Sequence, residues 1–499
     1  MTARLFRSGL TLLAAFVVVW IAVIVWWQST NRMPSTADIV TYLFLLPLGM
    51  VIGYWVIKRA LDGIRSNVAA GRELSAATPA AAAKTDGAPA DSQDATRHWR
   101  AVLLASALRA PNGSDAASLV DAVQASTQPG LVDVQGFGQQ IFAAPVDGLD
   151  IEDLRTELTE RHPDVDWLDE QLRALTLAGQ VAEELAAHAV AQHHEPAGPE
   201  ATRLVITALL PREWTPQQQT AADAWLRQHI GMIWPADRLT LEPIAAKGDA
   251  DALLLLDRAT QAVNRTSDER VLRMLVVADS LVGPSAVEQL TQHEQLFEAN
   301  RQHGRVPGEA AAGVLLCAPA LIAAQAAQAT PPETGTDAAA DVPTAITITR
   351  ASVARLEAPT PDRGQPQLEA LGGAVRHVLE TLAAAPAGAK DKPPAAKAEP
   401  AAADANAEPL VASVVTDTGI HPVRTVEVAR VFSDRFPTLD VAADLLPLGT
   451  PCGYVGAAGA LLPVVVAHQL SQQSGKPVLA ITANDIQQRG AIAVVPSLT

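Results

Sequence analysis

Residues 274–319 read MLVVADSLVGPSAVEQLTQHEQLFEANRQHGRVPGEAAAGVLLCAP. The apolar run Leu272 to Val277 has the length and composition of a buried strand, and it delivers a turn at Asp279 and Ser280. A helix follows over Ser285 to His293, after which Gly308-Glu309 leads a run of alanines into a second apolar strand, Gly313 to Cys317. Both strands are apolar throughout instead of alternating, as in a sheet covered on both faces. Strand, helix and strand in this order predict an α/β domain.

The same alternation extends in both directions. Further strands are predicted at Ala101 to Leu104, Arg203 to Leu209, Ala252 to Leu256, Pro343 to Ile348, Leu410 to Val415, Val478 to Thr482 and Ala491 to Val495. Helices are predicted at Asp153 to Glu160, Trp167 to His194, Pro216 to His229, Ala259 to Arg265, Gln367 to Ala383, Val423 to Arg435 and Ala457 to Gln472. Three stretches rich in Ala, Pro and small polar residues interrupt the pattern: 76–96, 330–343 and 384–409. They lack the large apolar side chains a core needs and read as a tether and two linkers.

Ahead of the tether, Leu10 to Trp27 and Ile39 to Ile57 are uncharged apolar runs of spanning length. Arg4 and Arg7 precede the first and Lys58, Arg59 and Arg65 follow the second, so the positive-inside rule predicts a transmembrane hairpin over residues 1–75 with both termini in the cytoplasm. A cleaved signal peptide is the competing reading; Trp26, Trp27 and Gln28 do not form a small-residue cleavage site. Of the chain's 37 basic and 54 acidic residues, six and two fall in the first 66, which leaves a net charge of −21 beyond them. That balance argues against nucleic acid and anionic lipid as partners of the body. Cys317 and Cys452 form no disulfide framework and no CxxC metal pair. No cofactor- or metal-binding signature is found: GxxGxxG at Gly453, Gly456 and Gly459 has the wrong spacing for a dinucleotide turn, and Ser474-Gly475-Lys476-Pro477 lacks the phosphate-loop pattern. Close helix packing is the expected reason for those glycines.

Four segments carry a family resemblance. The V-P-G-E-A-A run within 274–319 resembles the β-ketoacyl synthase branch of the thiolase-like superfamily. Thr416 to Arg435 (TDTGIHPVRTVEVARVFSDR) is similar to that branch's loop before an Arg-bearing helix near the active site. Leu448 to Ala460 (LGTPCGYVGAAGA) is similar to its glycine-rich turn, and Val478 to Pro496 (VLAITANDIQQRGAIAVVP) to its closing hairpin. The resemblance implies one duplicated domain of α/β/α/β/α layers, with residues 97–329 as the first half and 330–499 as the second.

Catalysis in that superfamily uses a cysteine at a helix N-terminus with histidines that polarise a thioester. By family spacing the nucleophile belongs near Trp234 to Asp237, where no cysteine stands. Cys317 is expected to be a buried core thiol, and Cys452, at the turn where the family carries a Gly-His-Thr type sequence, likewise. His421 in the Thr418 to Pro422 loop is expected to be a solvated loop histidine, and the adjacent His193 and His194 to mark a polar helix end. Catalytic residues are therefore none, and the body reads as a silent scaffold. Membrane hairpin, tether and degenerate synthase body together resemble bacterial inner-membrane adaptors of type VI secretion. That resemblance implies two partners, a lipase effector held in the cytoplasm and the secretion spike protein that receives it. Homodimerisation stays open, and the competing reading is a condensing or acyl-transfer enzyme using Cys452 and His421, or a silent subunit of a ketosynthase-like complex.

Overall fold

A computed structural model describes residues 96–134, 138–192, 201–211, 213–265, 270–328, 345–357, 366–384 and 409–497. The expected hairpin with spans 10–27 and 39–57, nearly all of the tether, linker 330–343 and all but the ends of linker 384–409 lie outside them. Among the described residues no helix is long and apolar enough to cross a membrane.

The first half runs β1 (Ala101–Arg109), α1 (Ala116–Gln124), β2 (Gly130–Asp133), β3 (Gln140–Ala143), α2 (Glu152–Arg161), α3 (Asp169–Gln192), β4 (Arg203–Leu210), α4 (Pro216–Gly231), β5 (Leu239–Ala245), α5 (Asp251–Arg265), β6 (Val271–Ser280), α6 (Pro284–Gln292), β7 (Glu309–Cys317) and α7 (Pro319–Gln328). The second runs β8 (Ile346–Ile348), β9 (Ser352–Arg355), α8 (Leu368–Ala383), β10 (Ser413–Thr416), α9 (Pro422–Arg435), α10 (Val441–Asp444), β11 (Leu445–Pro447), α11 (Gly449–Cys452), a 3-10 turn Gly456–Ala460, α12 (Leu462–Ser474), β12 (Val478–Thr482) and β13 (Gln488–Pro496).

Strand order exposes the duplication. The first half is ordered β5-β4-β6-β7-β1 and the second β11-β10-β12-β13-β8, so each strand has a counterpart at the same rank. The senses match too: β4 is parallel to β5 and β6, as β10 is to β11 and β12, while the remaining pairs in each half are antiparallel. Short antiparallel pairing of β1 with β8 joins the halves.

Alternate strand residues feed three cores. Leu204, Ile206, Met274 and Leu315 face the outer helices α3 and α4. Leu275, Val277, Val314, Val465, Ala480 and Ile492 meet in a central layer that contains α5 and α12, and Leu479, Ile481 and Ala493 pack on α8 and α9. The layers are thus helix, sheet, helix, sheet, helix. Removing such apolar side chains from water stabilises the fold by about 1.5–3 kcal/mol each.

Several elements, among them α1, α7, β2, β3, β9 and β11, lie outside the predicted set, and three more depart from expectation in an instructive way. Ala252 to Leu256 is the first turn and a half of α5, not a strand: Ala252, Leu253, Leu255, Leu256, Thr260 and Val263 are buried at helical spacing. A run of four leucines carries no period of its own, so only its flanks distinguish helix from strand. The predicted Ala457 to Gln472 helix is broken after Ala460, with Pro463 in the first turn of α12 where a missing N–H costs nothing. Strand β5 was not predicted because Glu242 and Pro243 interrupt it; it lies at the sheet edge, where proline is tolerated.

Candidate functional site

The carboxyl ends of the parallel strands meet around the glycine-rich turn, and there the two halves are stitched together. Tyr454 N–H donates to Val306 O at 2.7 Å and Gly308 N–H to Tyr454 O at 2.9 Å, so the turn is clamped against the V-P-G-E segment. The Tyr454 hydroxyl donates to Asp249 Oδ2 at 2.7 Å, and Arg305 stacks 4.1 Å from its ring centroid. Ala457 N–H donates to Asp279 Oδ2 at 3.2 Å. Gly453 and Gly456 have φ of +69° and +53°, and a Cβ on Gly456 would stand 2.0 Å from Asp279 Oδ2. The glycines therefore serve a left-handed turn and a close approach between halves, and not the expected helix packing.

A second knot joins β10 to β12. Asp417 accepts from Thr482 Oγ1 at 2.6 Å, Ala483 N–H at 2.9 Å and Asn484 N–H at 3.2 Å. Burial nevertheless pushes its carboxyl up to about 6. Asp485 accepts from Gln487 and Gln488 N–H, and its other oxygen receives Ala250 N–H at 3.3 Å, tying the closing hairpin to the start of α5. Beneath lies a buried ion triad: Arg489 Nε donates to Glu427 Oε1 at 2.6 Å, and Arg424 is 3.7 Å from the other oxygen. Glu309 of the V-P-G-E run is fully buried and accepts from Arg173, Ser280 Oγ and Val146 N–H.

These contacts locate the expected site residues. Trp234 to Asp237 precede the amino end of β5, opposite the glycine-rich turn, and the Trp234 indole is buried. The loop that does meet the turn is 246–250, ahead of α5, and it reads Ala-Lys-Gly-Asp-Ala with no thiol or hydroxyl. Its Asp249 occupies the position facing Tyr454. Cys452 is 1 % exposed at the carboxyl end of α11, where no helix dipole lowers its pKa; burial pushes it up to about 12. Cys317 ends β7 in the first-half core and is likewise pushed to about 12. His421 is not simply solvated: it is the N-cap of α9, with Nδ1 accepting from Arg424 N–H at 3.4 Å. His193 and His194 lie outside the described residues.

Two cavities adjoin Tyr454 and Arg305. One, about 30 Å³, is bounded by His421, Arg424, Gly453 and Asn484 and has room for a water or two. The other, about 330 Å³, opens between α3, α6 and the carboxyl ends of β4 and β6, with Glu170, Glu213, Asp279 and Ser280 in its wall. Burial, together with the Glu213 and Asp249 carboxylates, pushes Asp279 up to about 7. In the sequence the Asp279-Ser280 pair reads only as a turn. Glu170, Glu213 and Tyr454 carry no local signal, being drawn from segments far apart in the chain. Among the described residues no three His, Cys, Asp or Glu side chains converge on a metal position.

No family profile matches the chain, and no curated protein sequence does. Solved structures do. The chain is similar to a type II polyketide synthase ketosynthase, solved with its acyl-carrier protein and bound to the hexaketide, at TM-score 0.51 and 10% identity over 80% of this chain and 100% of that one. It is similar to the ketosynthase from module 6 of the bacillaene synthase of Bacillus subtilis 168 at TM-score 0.51 and 12% identity, over 80% of this chain and 72% of that one. An oxazolomycin ketosynthase domain of Streptomyces albus gives TM-score 0.51 and 12% identity over 80% and 74%. At these identities the likeness concerns architecture, which the matched strand order of the two halves bears out independently. The described body of the chain has the thiolase-like fold of the ketosynthases.

Proposed function

We propose that this chain is a non-catalytic adaptor built on a ketosynthase frame, held at the bacterial inner membrane by its N-terminal apolar runs, which binds a lipase effector in the cytoplasm and delivers it to the type VI secretion spike. The observation that carries the non-catalytic part is what stands at the junction of α5 and the glycine-rich turn. Asp249 and Tyr454 occupy it, and the loop offers no thiol or hydroxyl. Both thiols sit in apolar cores and stay protonated at neutral pH. Support for the cargo is the family resemblance of the whole layout, together with an acidic body suited to steering a basic partner.

The test is to purify the detergent-solubilised full chain and mix it with a phospholipase effector from the same bacterium. Co-elution on a sizing column at about micromolar concentration supports cargo binding, and two separate peaks refute it. The competing reading, acyl transfer with a carrier-protein partner, takes its support from the ketosynthase solved with its acyl-carrier protein. Acyl label on Cys452 after incubation with an acyl thioester would establish it and displace the adaptor.

A further inference from the structure

We propose that the glycine-rich turn is a proton-operated latch: a neutral Asp279 side chain holds Gly453 to Ala457 against the first half, and an ionised one lets the turn lift and opens the junction to water. The inference stands apart from the adaptor reading. It begins with the contacts that cross the junction. Tyr454 exchanges backbone hydrogen bonds with Val306 and Gly308, Ala457 N–H donates to Asp279 Oδ2 at 3.2 Å, and the Tyr454 hydroxyl donates to Asp249 at 2.7 Å. Two of these contacts end on carboxylates of the first half, while the turn, reading Gly-Tyr-Val-Gly-Ala, brings no cation to either.

Asp279 is the decisive residue. It is half-buried at the carboxyl end of β6, and the backbone amides of Ala457 and Ser280 donate to it. The groups that face it are Glu213 from the loop after β4, Asp249 from the loop before α5, Glu170 from α3, His293 after α6, and Tyr454 with Arg305 stacked on its ring. Three of the six are carboxylates. Burial and the charges of Glu213 and Asp249 all oppose ionisation and push the Asp279 carboxyl up to about 7. Burial also raises Tyr454 well above its ordinary value, so the phenol keeps its proton while Asp279 titrates.

An ionised Asp279 has somewhere to go. The cavity of about 330 Å³ has Asp279, Arg305 and His293 in its wall, so a carboxylate that swings away from the turn meets water and basic side chains. Gly456 packs directly on that carboxyl, with no Cβ between them, so its departure removes the turn's support. Gly453 and Gly456, at φ of +69° and +53°, are the positions where the backbone can rotate at least steric cost. In the lifted state Asp279 is solvated and its pKa returns toward about 4, the ordinary carboxylate value. Opening then releases a proton between about pH 4 and pH 7. The opening constant therefore rises with pH through that window, by at most about tenfold per pH unit, and levels off above it.

The test is hydrogen–deuterium exchange of the detergent-solubilised full chain, read by mass spectrometry from about pH 5.5 to 8.5 and corrected for the intrinsic exchange rate at each pH. Peptides covering 453–461 should lose about tenfold or more in protection between pH 5.5 and 7.5 and little beyond. Peptides from β12 and β13 should stay far better protected than the turn, which separates the latch from global unfolding. Asp279→Asn is neutral at every pH and still accepts from Ala457 N–H, so its turn should remain protected throughout. That variant retains His293, His421 and His468, and a loss of protection that persists in it belongs to a histidine and overturns the proposal. If Asp279→Asn does not fold, Glu213→Gln decides: removing an opposing charge at an exposed position should bring the plateau in at lower pH, and an unchanged profile overturns the proposal. Wild-type protection independent of pH, or a turn that exchanges only together with β12 and β13, overturns it as well.

Discussion

Glu309→Gln tests whether the glutamate of the V-P-G-E segment serves a buried ion pair and not chemistry. The Glu309 carboxylate is 0 % exposed and accepts from Arg173 Nε at 2.8 Å, a second Arg173 nitrogen at 2.5 Å, Ser280 Oγ at 2.7 Å and Val146 N–H at 2.7 Å. Glutamine keeps the volume, removes the charge and turns one acceptor into a donor facing other donors. Breaking one side of a buried pair costs about 3–5 kcal/mol. Arg173 retains 18 % side-chain exposure and a bond to Val146 O, so water recovers part of its charge and the lower end, about 3 kcal/mol, is expected. Urea unfolding followed by tryptophan fluorescence and circular dichroism measures it, coincident transitions licensing a two-state free energy. In the cycle with Arg173→Met, the double variant should be at least about 1 kcal/mol more stable than the sum of the singles predicts. A loss below about 1 kcal/mol for Glu309→Gln, or an additive cycle, would refute the reasoning.

Gly456→Ala forces a side chain into φ +53° with its Cβ 2.0 Å from Asp279 Oδ2, and should lower stability by about 2–4 kcal/mol; adding Asp279→Ala should restore part of that loss in the same urea assay. Asp279 has a folded pKa of about 7 against 3.8 unfolded, so between those values the folded chain binds more protons and this group's contribution to stability rises as pH falls from about 8 to 4. Asp279→Asn should therefore stabilise at pH 8 and converge with wild type near pH 4. His468, lowered to about 4 by burial, acts in the opposite sense between pH 6.5 and 4 but cancels in the difference. Cys317 and Cys452 should both resist a thiol-reactive disulfide at pH 8 in the native protein and react fully in urea; native labelling of Cys452 would contradict its core position.

The strands at β6, β7 and β12 were legible from the chain because they are buried on both faces, and uninterrupted apolar runs of that length have few other fates. Helices α4, α8 and α9 were legible from their spacing, with Thr215 and Gln218 forming a capping box around the start of α4. Local pattern did not resolve Ala252 to Leu256, since burial of an α5 residue depends on which layers close over it, nor β5, whose Glu242 and Pro243 are acceptable only because no strand pairs beyond it. The site was less legible still. Tyr454 and Asp249 are 205 residues apart, and Glu170 meets Ala286 across 116. Side chains so distant in sequence leave no periodic signal, and their charges acquire meaning only when the doubled sheet brings them together away from bulk water. That no cysteine precedes Cys317 could be read from the chain; the meeting of Asp249 with Tyr454, and the acidic cavity beside them, were decided by the tertiary structure, because desolvation and charge proximity are properties of packing and not of order along the chain.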